Sequence, residues 1–100
     1  MYKGLIRCVE KEAIMARFLR KLMNRNTWGG KHTEAKNLLK AVPKHLRGDK
    51  VTSEAIKELH RLEFLISKPS TGEMHISLNP RKKKEIDEFL DSVVKNFLEY

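Results

Sequence analysis

Cysteine is nearly missing from this chain. Cys8 is the only one in 100 residues, which excludes an internal disulfide framework and fits a reducing compartment. Proline and glycine are sparse, at three and five, and no internal repeat, linker or low-complexity segment appears. Long apolar runs are absent as well. None approaches the length of a membrane span, and the N-terminus lacks a signal-peptide core, so a cytoplasmic protein with no membrane partner is expected. Acid is also short, with 13 Asp and Glu against 21 Lys and Arg, for a net charge of +8. What is present suits a folded, very soluble domain: 40% hydrophobic and 34% charged residues, with length enough for one modest core.

The positive excess is unevenly placed. Residues 1–30 carry seven Lys and Arg against two Glu, and residues 31–50 carry six against two acids. Residues 51–70 balance at three each, and 71–100 hold five against six. A basic chain of this kind attracts polyanions, nucleic acid first among them, although a lysine-rich surface also serves solubility alone.

Helical periodicity begins at about Leu5 or Val9 and runs to Asn26. Ile14, Met15, Phe18, Leu19, Leu22 and Met23 form a stripe with Arg17, Arg20, Lys21 and Arg25 beside it. Gly29-Gly30 then marks a turn, and Trp28 beside it reads as a cap on the core. A second helix is expected from a Thr33 cap to Val42, with Ala35, Leu38, Leu39 and Val42 inward, and Pro43 ends it. The segment Pro43-Lys44-His45-Leu46-Arg47 forms a short turn stopped by Gly48. The third helix, capped by Thr52 or Ser53, buries Ala55, Ile56, Leu59 and Leu62.

From Phe64 the period changes to two. Phe64, Ile66, Met74, Ile76 and Leu78 are expected inward and Ser67, Glu73, His75 and Ser77 outward, around a loop at Pro69-Ser70-Thr71-Gly72. Asn79 and Pro80 open a fourth helix whose apolar face includes Ile86, Phe89, Leu90, Val93, Val94, Phe97 and Leu98. That face folds onto the first helix or pairs with a second copy, and a homodimer is the favoured expectation. The run Arg81-Lys82-Lys83-Lys84 opposes the helix dipole there and suits either an external anion or a solvated helix start.

The expected fold is therefore mainly α with a small β-hairpin. It is a winged helix-turn-helix, three-helix core plus wing, over residues 1–80, with an added C-terminal amphipathic helix over 81–100.

Catalysis finds little support. Trp28-Gly29-Gly30-Lys31 lacks the spacing of a phosphate loop and a strand before it. His32, His45, His60 and His75 stand singly, without metal-ligand spacing. The serines lack a nucleophile signature. No enzyme, no cofactor and no metal is expected.

Duplex DNA is the expected partner. The third helix would present Ser53, Lys57, His60 and Arg61 to the major groove, with Thr52 at its start. Lys44, His45, Arg47 and Lys50 precede it, where contacts to the phosphate backbone set register. Lys68, Ser70 and Thr71 at the hairpin tip would reach an adjacent minor groove or its phosphates. Glu54, Glu58 and Glu63 lower the charge of that helix and favour an alternative, a protein-interaction winged-helix adaptor in a transcription or RNA-processing complex.

Half of the chain, residues 31–80, resembles small archaeal winged helix-turn-helix proteins described mostly as transcription regulators. The likeness lies in Asn37-Leu38-Leu39, Pro43-Lys44-His45-Leu46-Arg47-Gly48 and Leu62-Glu63-Phe64-Leu65-Ile66. It continues through Lys68-Pro69 to Gly72 and His75-Ile76-Ser77-Leu78-Asn79-Pro80. The resemblance implies a winged fold and DNA binding, with no particular operator or effector.

Overall fold

The apolar stripe of the first helix sets the position of everything else. In a computed structural model, which describes residues 2–42, 44–70 and 72–98 and the side chains of 11–42, 44, 45, 47–69 and 72–95, α1 spans Tyr2–Asn24. Ile14, Met15, Phe18, Leu19 and Leu22 are all buried. Asn26, at φ 53°, turns the chain out of the helix. Thr27 and Gly29 then tie to the end of the sheet, Leu78 N–H donating to Thr27 O (2.8 Å) and Gly29 N–H to Leu78 O (3.0 Å). Trp28 packs against the core.

The expected second helix is different in kind. Thr33 and Glu34 form a short strand, β1 (Thr33–Glu34), and a 3-10 helix, η1 (Ala35–Ala41), follows. Thr33 is no cap: its backbone is held in a ladder opposite Ile76, and its hydroxyl accepts from Asn37 Nδ2 at 3.2 Å. Ala35, Leu38 and Ala41 recur every three residues, the period of a 3-10 turn and not of an α-helix. Val42 is extended (φ −114°, ψ 152°), as a residue before proline must be. Pro43 itself lies outside the described residues.

The short α2 (Lys44–Arg47) leads into α3 (Lys50–Arg61). Its cap is Asp49, whose carboxylate accepts from Val51 N–H at 3.0 Å, and not Thr52 or Ser53. The helix therefore starts nearly one turn earlier than expected, and Val51, Thr52, Ala55 and Leu59 face inward. At its other end Glu63 adopts φ 62°. Phe64 N–H reaches Leu59 O and Glu63 N–H reaches His60 O, both at 3.0 Å, which satisfies the last carbonyls.

Strands β2 (Leu65–Ser70) and β3 (Glu73–Leu78) follow, in an antiparallel sheet of order β1-β3-β2. The strand runs on through Pro69 and Ser70, where a loop was expected. β2 is an edge strand, so a proline there breaks no internal ladder. Gly72, at φ 82°, makes the turn. The inward set is also shifted by one on β2: Leu65, opposite Leu78, is buried, whereas Ile66 lies opposite Ser77 on the other face. Ser77 is buried rather than solvated, and Met74, expected inward, is 48% exposed.

Asn79 caps the last helical segment as expected, accepting from Arg81 N–H at 3.1 Å. The first turn is a 3-10 helix, η2 (Pro80–Lys82), before α4 (Lys83–Leu98). Ile86, Leu90 and Val93 are buried within the one chain, and Phe89 meets Phe64 edge to face at 6.1 Å between ring centres. α4 packs on α1. Val94 is the exposed apolar residue among its described side chains, while those of Phe97 and Leu98 lie outside the description. The architecture is mainly helical with a small three-stranded antiparallel sheet.

Candidate nucleic-acid interface

The outward side of α3 carries Ser53, Glu54, Lys57, His60 and Arg61, all exposed, as the spacing of its apolar residues requires. Their availability differs. Arg61 is chelated by Glu58, Nε to Oε1 at 2.6 Å and a second guanidinium nitrogen to Oε2 at 2.8 Å. The Arg61 guanidinium in turn holds the Glu58 carboxyl below its usual range. His60 Nε2 pairs with Ser67 Oγ at 2.8 Å, fastening the helix to β2. Thr52 is 1% exposed, so the side chain expected at the groove belongs to the core. The third residue after the Asp49 cap, it lies in the first turn of the helix, on the inward side. Ser53 and Lys57 remain as the uncommitted candidates for base edges.

Before α3, Lys44, His45 and Lys50 are exposed as expected. Arg47 is not simply a surface cation. Its Nε donates to Leu39 O (2.8 Å) and Val42 O (3.2 Å), closing the C-terminal carbonyls of η1. On the hairpin Lys68 is exposed. Ser70 belongs to β2 but its side chain is outside the description, and Thr71 is outside the described residues altogether.

A second positive surface lies where α1 meets the end of η1. Arg17, Arg20, Lys21 and Asn24 on α1, Arg25 just after it and Ala41 on η1 line an open cleft of about 460 Å³. Burial lowers the Lys21 pKa, and the nearby charges of Arg25, Lys40 and Arg47 lower it further. Cations this close repel one another, and an anion in the cleft would relieve that repulsion. Among the described residues the ion pairs are Lys36 with Glu34 and Glu73, and Arg61 with Glu58. None involves Arg17, Arg20, Lys21, Arg25, Lys40 or Lys44. The sequence signal for this surface was the excess of Lys and Arg in residues 1–50. Which of those cations converge depends on how η1 crosses α1.

Two of the single histidines also come together. His32 and His75, 43 residues apart, place their Nδ1 atoms 2.7 Å from each other on the sheet. No family model matches this chain, nor does any curated protein or solved structure, so its own residues and geometry carry the functional reading.

Proposed function

We propose that the chain is a winged helix-turn-helix protein that binds duplex DNA, as a small transcription regulator. Phosphates would lie along the basic surface from Arg17 on α1 and Arg25 just after it, past Lys40 and Lys44, to Lys50 at the start of α3. Ser53 and Lys57 would meet base edges, and the β2–β3 hairpin with Lys68 would act as the wing. In support, the first seven elements follow the order helix, strand, 3-10 helix, short helix, helix, strand, strand, and the sheet runs β1-β3-β2. A wing built that way stands beside the helix meant for the groove.

The observation that carries the proposal is a group of cations without an acidic partner among the described residues: Arg17, Arg20 and Lys21 on α1, Arg25 just after it, and Lys40 on η1. A surface that keeps like charges close without acidic partners is suited to an extended polyanion. Dimerisation through α4 is not required for this footprint, since Ile86, Leu90 and Val93 are already covered within one chain.

The α3 surface by itself favours a second reading. Glu54 and Glu58 offset Lys57 and Arg61, and such a nearly neutral face suits a protein partner of an adaptor. Anisotropy of a labelled random duplex titrated at several salt concentrations separates the two. Four or more phosphate contacts give a log–log slope of about −3.6 or steeper. A slope near zero would sink the DNA reading.

A further inference from the structure

The sheet gathers a second polar group, away from the basic cleft. Glu34 on β1 is paired with His75 on β3, so their side chains share one face, and Glu73, two residues before His75, shares it as well. One ligand atom from each of Glu34, Glu73 and His75 lies within 4.8 Å of the others. His32, just ahead of β1, adds an imidazole whose Nδ1 is 2.7 Å from Nδ1 of His75, the rings edge to face at 4.7 Å between centres.

A cation already lies between the two carboxylates. Lys36 Nζ lies 3.1 Å from Glu73 Oε1 and 3.2 Å from Glu34 Oε2. The backbone thus brings two carboxylates into position to share one positive centre, with the His75 imidazole beside them and that of His32 against His75. Two histidine nitrogens and two carboxylate oxygens form a donor set that matches zinc in number and chemistry.

We propose that His32, Glu34, Glu73 and His75 form a zinc site, filled when the Lys36 ammonium swings out and the divalent ion takes its place between the carboxylates. Tetrahedral bonds of about 2.0–2.1 Å set two ligand nitrogens about 3.3 Å apart. The rings therefore separate by roughly half an ångström, a small movement for side chains at the open end of a sheet. The exchange releases any proton held between the two rings, because both Nδ1 atoms must be bare to bind. Bound zinc joins β1 to the strand that carries the hairpin.

The test uses the full chain without an affinity tag, stripped with chelator and titrated with zinc chloride by calorimetry. One equivalent should bind. His32→Ala, His75→Ala and Glu73→Gln should each weaken it at least about tenfold, and Lys36→Met should tighten it by removing the competing ammonium. Cobalt(II) in place of zinc should show the visible absorption of a four-coordinate site, lost in His75→Ala. The site is overturned if the wild-type chain takes up no zinc, or if uptake is unchanged in both histidine variants. Neither result depends on nucleic acid.

Discussion

The cations of α1 and those of α3 sit in opposite electrostatic settings. On α3, Arg61 is chelated by Glu58 and Glu54 lies near Lys57 on the same exposed side, so charge is locally balanced. On α1 and just after it, Arg17, Arg20, Lys21 and Arg25 line one cleft and have no acidic partner among the described residues. A helix whose charges are matched can tell one surface from another, because each mismatch leaves a group unpaired. A cleft of unmatched cations attracts any polyanion alike. Under the proposed duplex-binding reading, the two settings would divide the labour: attraction in the cleft, and selection on α3.

The frame shared by both surfaces is the inward side of α3. Leu59 is fully buried in the core that also holds Phe18 and Leu19 of α1, and the packing of α3 on α1 fixes where the cleft and the outward side of α3 stand relative to each other. Leu59→Ala is expected to lose about 2–5 kcal/mol of stability, read by urea unfolding. A loss under about 1 kcal/mol would mean that α3 is held by something other than this contact. Next in size is Lys57→Ala, which should cost about 1–3 kcal/mol on a selected duplex and almost nothing on a random one. Equal losses on both would move Lys57 into the attracting class and erase the division.

How much of this arrangement shows in the sequence depends on the range of the forces involved. The inward stripe of α3 and the Asn79 cap are local patterns, and both were legible. β1 was not, because two residues have no period of their own and become a strand only by pairing with Ile76 and His75. The 3-10 form of η1 was visible in principle, in the three-residue spacing of Ala35, Leu38 and Ala41. Thr33 made a plausible cap and hid it. Asp49 lost to Thr52 in the same way: both residue types cap well, and only burial separates them. The cleft was half legible, as a charge bias without a location. The His32–His75 contact was invisible, since 43 residues separate the rings in the chain.

The attracting surface has its own test. Lys21→Ala with Arg25→Ala removes two neighbouring cations from the cleft and none from α3. The salt slope on random duplex should fall by about 1.8, since each lost phosphate contact is worth about 0.9. The ratio of selected to random affinity should stay constant. A changed ratio with an unchanged slope would reverse the roles given to the two helices.

The smallest effect concerns Arg61, and it bears directly on how α3 selects. Arg61 keeps the Glu58 carboxyl depressed, so the pair holds above the ordinary carboxylate range of about 4.3 and is lost only as the pH falls through that lowered value. Near neutrality acid cannot release Arg61, but substitution can. Glu58→Gln should free the guanidinium and steepen the salt slope on random duplex by about 0.9, with a matching drop in selectivity. Adding Arg61→Ala should cancel both changes, whereas Arg61→Ala alone should do little, because the wild-type guanidinium is already engaged. If Glu58→Gln leaves the slope where it was, Arg61 does not face the duplex, and selection on α3 narrows to Ser53 and Lys57.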